Sequence, residues 1–386
     1  MSERANLYDL LITGGQVIDP ASEREGPFDV ALKDGRVARV APKIPTAESH
    51  QVVDARGLYV VPGWIDLHTH IYWGVSAIAA DVERLSPRSG VTTWVDAGTA
   101  GAITFPGFRR FIIERALVQV LAFLNISTQG ILDINVAGEC DDIRWCDLTR
   151  TLETIEAHRD CIVGVKVRAS RNGVREAGIE PAWMAREAAD AAGVPLMVHI
   201  GQPPPTLREV MPLLRKGDIL THVFRGPVAS ILTREGGIRP DVLAARERGA
   251  FMDVGHGVGS LDFGVARRAV EQGFLPDCIS TDLHALNVNG PVFDLATTLS
   301  KFLNLGLSLP QVVAAATWGP ARALRREGEI GTLREGARGN VTLLAMEEGR
   351  FTFRDASGNL LEGDRRLVVR GTVVQGRWVG VPEAQA

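Results

Sequence analysis

The chain has 386 residues, 45% of them hydrophobic and 23% charged, with a formal net charge of -4. That length exceeds what one compact core holds, so one large domain with a smaller one is expected. The slightly acidic balance leaves no electrostatic reason to expect nucleic acid or an anionic membrane surface as a partner. Cys140, Cys146, Cys161 and Cys278 show neither Cys-x-x-Cys spacing nor disulfide density, which fits a reducing compartment. There is no signal-peptide pattern at the N-terminus and no apolar run of membrane-spanning length, so a soluble, cytoplasmic protein is expected.

From Asp9 to about Asp54 the sequence reads as short strands separated by turns, with Asp34-Gly35 between two alternating runs as a hairpin signal. The same texture returns after Gly328, in GNVTLLAM and GRFTFRDASGNLLEGDRRLVVRGTVVQGRWV. Residues 1–57 and 328–386 are therefore expected to pair into one small β domain, with 58–327 inserted between them.

Inside that insert the rhythm becomes strand then helix. The run Tyr59–Tyr72, YVVPGWIDLHTHIY, opens it as a buried strand, followed by strands over 90–98, 118–127, 161–170, 193–201, 218–226, 251–257 and 277–284. Amphipathic stretches lie between them, among them Pro181–Ala192 and Pro240–Arg248. Eight strands alternating with helices predict an α/β fold of the (β/α)8 TIM-barrel type. A doubly wound open sheet is the alternative, but no Gly-x-Gly-x-x-Gly fingerprint follows an early strand. The irregular stretch Ser127–Asp147 reads as a loop or lid at the active-site end.

Ligand-type residues recur at the carboxyl ends of these strands, where barrels carry their active sites. His68 and His70 end strand one, with the spacing that lets alternate strand residues share a face. Lys166 lies on strand four, His199 on strand five, His222 on strand six and Asp282 on strand eight. Imidazole is the commonest metal ligand, and packing does not explain five strands of one barrel ending this way. An ammonium cannot ligate a metal, but burial and nearby cations depress a lysine pKa. The resulting neutral amine at Lys166 is able to add carbon dioxide, giving a carbamate whose oxygens can bridge two metals. Asp282 is the remaining anion, suited to ligate metal and to act as general base.

This constellation resembles the amidohydrolase superfamily, in its binuclear-metal branch with a carboxylated lysine. The motifs PGWIDLHTH, VGVKVRAS, PLMVHIG, ILTHVFRG, STDLH and GTLREGARGNVTLL carry the likeness over nearly the whole chain. The resemblance implies a barrel flanked by a β-sandwich built from both termini. It implies two divalent metal ions, taken as zinc, held by His68, His70, His199 and His222, an N6-carboxylated Lys166 bridging them, and Asp282 as ligand and base. Manganese, iron and cobalt bind such sites too. GVTTWVDAGTAG and VGVKVRAS liken the chain most to the amidohydrolase/deacetylase metallohydrolases.

The likeness implies that a water whose pKa the metal lowers to about 7 attacks an amide or ester carbonyl, with Asp282 moving the proton. The expected substrate is a small acylated molecule bearing a carboxylate: an N-acyl amino acid or an O-acyl hydroxy acid. Arg168, Arg225 and His284 are the candidate substrate contacts, and either guanidinium suits a carboxylate bidentately. Asp66 is placed to orient a ligating imidazole, and His256 ends strand seven. Dihydroorotases usually carry arginine where this chain has Tyr72, and mononuclear deaminases lack a counterpart of Lys166. A cyclic amidase or isoaspartyl dipeptidase remains the rival enzyme, and a silent dihydropyrimidinase-like scaffold the rival outside catalysis. Barrel hydrolases of this size are often symmetric oligomers, so a homo-oligomer is compatible with the sequence.

Overall fold

The structure, a computed structural model, describes residues 7–134 and 138–380. Seven parallel strands run in sequential order from Trp64–Thr69 through Val91–Gly101, Gln119–Asn125, Ile162–Ala169, Leu196–Ile200 and Ile219–Thr221 to Phe251–Asp253. The gap between the first and last is closed by 278–283. Single parallel bridges join Cys278 to Asp253 and Leu283 to Thr69. The result is a (β/α)8 barrel whose eighth strand is irregular. The strand expected over 277–284 bends because Asp282 takes φ +48°, and Asn287 Nδ2 caps its carbonyl at 2.7 Å.

Buried apolar residues on alternate positions, including Ile65, Leu67, Val95, Ala97, Leu121 and Phe123, form a cluster within this sheet. A second, larger cluster joins the opposite strand faces to the surrounding helices. Two helices fall where amphipathic patterning put them. Glu180–Ala192 has proline in its first turn and ends on Gly193 at φ +70°, a conformation glycine takes at little cost. Pro240–Glu247 also begins on proline. Among the described residues no helix is long and apolar enough to cross a membrane.

The run Tyr59–Tyr72 is not one strand. It divides at Gly63: Tyr59–Pro62 pairs with Val341–Arg354 and with Gln16–Asp19, whereas Trp64–Thr69 enters the barrel. A side chain at Gly63 would collide with Thr92 and Asn340, so only glycine lets the chain cross between the two sheets here. The sheet that Tyr59–Pro62 joins has six strands and mixes both ends of the chain, including the long hairpin Val341–Arg354 and Leu360–Val374. A separate four-stranded sheet comprises Tyr8–Thr13, Asp29–Lys33, Arg36–Ala41 and Ser49–Asp54. Leu10, Ile12 and Val30 from the latter pack with Val17, Val60, Val341 and Val373 from the former, so the two sheets form a β-sandwich. The hairpin turn at Asp34-Gly35 has both residues at positive φ, +51° and +73°, as its sequence predicts.

Candidate metal centre

The sequence signals converge at the carboxyl end of the barrel. The pairing register of the first strand shifts between Asp66 and Thr69, an irregularity of the kind that re-aims side chains beside active sites. His68 and His70 leave the strand there with ring centroids 5.5 Å apart. Asp282 Oδ1 lies 3.4 Å from His68 Nε2 and 3.2 Å from His70 Nε2. Lys166 Nζ is 3.3 Å from His68 Nε2 and donates to Ala97 O at 3.1 Å. His222 Nε2 faces His199 Nδ1 at 2.7 Å. Ligand-type atoms of His68, His222 and Asp282 all lie within 4.8 Å of one another.

The barrel strand expected over 218–226 ends early, at Thr221. His222 follows at φ +71°, and the same turn of the backbone at Asp282 swings both side chains toward the centre. Positive φ at a non-glycine residue is strained and concentrates at functional sites.

Three imidazoles are held from behind. His222 Nδ1 donates to Gly255 O at 2.7 Å, which leaves Nε2 as the lone-pair nitrogen. His70 Nδ1 meets Thr99 Oγ1 at 2.8 Å. His68 Nδ1 meets Thr221 Oγ1 at 2.9 Å, and that hydroxyl donates to Asp253 Oδ2 at 2.7 Å. Ser280 Oγ donates to the other Asp253 oxygen at 2.7 Å. Such outer hydrogen bonds fix the tautomer and orientation of metal-ligating histidines. The expectation that Asp66 orients an imidazole is corrected. Its carboxylate takes the backbone N–H and the hydroxyl of Thr281 at 3.0 and 2.6 Å, tying strand one to the segment that carries Asp282. Sequence reading missed Thr99, Thr221, Asp253 and Ser280. Thr221 directly precedes His222 and Asp253 ends strand seven, the one local signal they carried.

The electrostatics suit a cation. Burial pushes the pKa values of His68 and His199 well below the usual imidazole value and that of His222 to about 3, so the rings are neutral donors. Burial opposes ionisation of Asp282, yet positive charge at His68, His70 and His222 would hold the carboxyl well below its usual range, a charge that a bound cation supplies when those rings are neutral. Burial lowers the Lys166 amine to about 8, against the opposing field of Asp282. Neutral imidazoles, an ionised carboxylate and a readily deprotonated amine, all buried together, fit divalent metal ions.

A cavity of about 300 Å³ opens onto this cluster, lined in part by His70, Lys166, His199, Asp282, Arg225 and His284. The two candidate arginines differ. Arg168 is clamped by Glu139, with Nε 2.9 and 2.8 Å from its two oxygens and Nη2 2.7 Å from Oε1. Its charge is already neutralised. Arg225 bonds to Ser260 Oγ at 3.0 Å and has no carboxylate partner among the described residues. His284 Nδ1 accepts from Leu286 N at 3.2 Å, so its Nε2 carries the proton. The loop or lid read over Ser127–Asp147 does reach this end: Ile131 and Ile134 line the cavity and Glu139 holds Arg168. Its residues 135–137 lie outside the described residues. His256 turns away from the cavity, its Nε2 2.7 Å from Lys301 Nζ.

A parallel barrel with this donor set at its carboxyl end is of the metal-dependent hydrolase class. Comparison with known proteins agrees. The amidohydrolase family model matches residues 256–379. A deacetylase of Brucella anthropi is 36% identical over 346 residues, covering 89% of this chain and 85% of that protein. The solved structure of an adenine deaminase superposes with a TM-score of 0.89 at 32% identity, covering 96% of this chain and 99% of its own. That of a dihydroorotase gives 0.88 at 35%, covering 96% and 97%. The chain belongs to the amidohydrolase family and is a hydrolase. Members of this family are metal-dependent, and this chain carries a His/Asp group able to hold a metal ion.

Proposed function

We propose that the chain is a binuclear-metal deacylase that removes acetyl, or a similar small acyl group, from an N-acyl amino acid or an O-acyl hydroxy acid. The observation that carries this reading is the Arg225 guanidinium, without a carboxylate partner among the described residues, lining the same small cavity as His70, His199, Lys166 and Asp282. The deacetylase relative at 36% identity supports it. His68, His70, His199 and His222 would hold two divalent ions, zinc being the natural choice for such nitrogens, with Asp282 and a carboxylated Lys166 completing the set. Bound there, the ions would supply Lewis acidity to the carbonyl and acidity to the attacking water.

The chain's own residues do the rest. Asp282, ionised at neutral pH, takes the proton of the attacking water on its carboxylate and returns it to the leaving nitrogen or oxygen. Arg225 grips the substrate carboxylate through two parallel N–H bonds. His284 presents its Nε2–H to the cavity as a neutral donor. Ile131 and Ile134 close the cavity wall against water. A volume of about 300 Å³ limits the substrate to a small acylated molecule.

The test is acetate release by zinc-loaded protein from N-acetyl-D- and N-acetyl-L-amino acids and from O-acetyl hydroxy acids of both hands. Chelator-sensitive release from carboxylate-bearing substrates is expected. Hydrolysis of a cyclic amide in place of any acetate release would favour the cyclic-amidase reading, which the dihydroorotase likeness supports. Full metal occupancy with no turnover on either panel would favour a scaffold.

A further inference from the structure

A second cavity, of about 870 Å³, lies between the helix Leu295–Asn304 and the hairpin of Val341–Arg354 and Leu360–Val374. It shares no lining residue with the cavity at the metal centre. Four cations line it, Lys301, Arg350, Arg354 and Arg366, and no carboxylate does. Arg366 is paired outside the cavity with Glu347 at 2.7 Å. Arg350 and Arg354 have no hydrogen-bond or ion-pair partner among the described residues. Phe293, Phe351 and Phe353 supply an apolar wall.

Lys301 is 1% exposed and sits at the base of this space. Its Nζ lies 2.7 Å from His256 Nε2 and 2.7 Å from Pro291 O. His256 Nδ1 is 2.9 Å from Gly257 O, which only accepts. The proton is therefore on Nδ1, and Nε2 accepts from the lysine. Two of the three ammonium protons are thereby used, and the third has no acceptor among the described residues. Burial lowers this amine to about 7 even against the opposing fields of Asp355 and Asp294, neither of which reaches it, so an anion beside it would hold it charged. A buried ammonium with a spare donor, two unpaired guanidiniums and an aromatic wall share one requirement: an oxyanion carried on an apolar body.

We propose that this cavity is a binding site, separate from the metal centre, for a small organic oxyanion, a phosphate or carboxylate borne on an aromatic or aliphatic body. Phenyl phosphate and benzoate are the probes, titrated calorimetrically into metal-loaded protein and into the Arg350→Ala/Arg354→Ala variant. Both arginines are exposed and unpartnered, so the variant should fold and turn over substrate as the parent does. A binding event is expected in the parent that weakens about tenfold or more in the variant. Inorganic phosphate should bind more weakly than phenyl phosphate, and phenol should not bind. Absence of binding by both organic anions at millimolar concentration would overturn the proposal. So would unchanged affinity in the variant, which would locate the anion at the metal centre instead. Neither result bears on acetate release, so this inference and the deacylase reading fail independently.

Discussion

Thr221 joins His68 to Asp253, and Thr221→Val removes that join while keeping the side-chain shape. In the parent, the His68 Nδ1–H reaches Thr221 Oγ1 at 2.9 Å and the hydroxyl passes on to Asp253 at 2.7 Å. In the variant the nearest other acceptor is Asp253 Oδ2, 3.7 Å from Nδ1, too far for a hydrogen bond without ring movement. Leaving a buried donor unmatched costs about 1–3 kcal/mol. Asp253 keeps its bond from Ser280, so its carboxyl is not stranded. The cost falls on the imidazole's orientation, and hence on metal affinity, which should drop about 10–100-fold. The two ranges agree, because a factor of ten is about 1.4 kcal/mol. Competition of the reconstituted protein against a chelator at neutral pH measures it, with Thr221→Ser retaining parental affinity. Turnover lost at limiting metal should return at saturating metal. Equal chelator competition by Thr221→Val and the parent would refute the argument that this hydroxyl orients a ligand.

Four other substitutions or titrations test the centre and its support. Asp282→Asn should keep its fold and most of its metal, yet lose about two to four orders of magnitude in turnover; full activity would remove the base assignment. The Lys166 amine, lowered to about 8, is protonated below that pH and neutral above it, and only the neutral form adds carbon dioxide. At a fixed concentration of dissolved carbon dioxide, reactivation of metal-free protein should therefore accelerate as pH rises through about 8 and then level off, and Lys166→Met should show no carbon dioxide dependence. A flat pH profile would count against carboxylation. Arg225→Met should raise KM for carboxylate-bearing substrates about 10–100-fold with a smaller change in kcat, and leave neutral amides almost untouched. Asp355, at the tip of the long hairpin, accepts from Phe263 N at 2.8 Å and from Ser357 N and Asn359 N. Asp355→Ala should cost about 1–3 kcal/mol of stability through the orphaned Phe263 N–H, read from denaturant unfolding.

The local chemistry of the chain determined a good deal by itself. Short apolar runs ending in histidine, lysine or aspartate, separated by amphipathic stretches, made a barrel with ligand-type residues at one end readable, because strand and helix periods are local properties. The proline starts at 181 and 240 and the Asp34-Gly35 turn were readable for the same reason. Tertiary structure decided what distance along the chain conceals. Alternation cannot show that His222 and Asp282 take positive φ, since only the packed barrel end compensates that strain. Nothing near Arg168 in sequence reveals that Glu139, 29 residues away, neutralises it and leaves Arg225 as the candidate without a carboxylate partner among the described residues. The Thr221–Asp253 support behind His68 spans three strands, and Asp66 meets Thr281 across 215 residues. Tyr59–Pro62 read as barrel because its apolar run is continuous, but strand pairing with Val341–Arg354 claimed it for the sandwich. Which ligand-type residues exist is a property of the chain; which of them face one another, and which arrive with their charge already matched, is settled by contacts that only folding brings together.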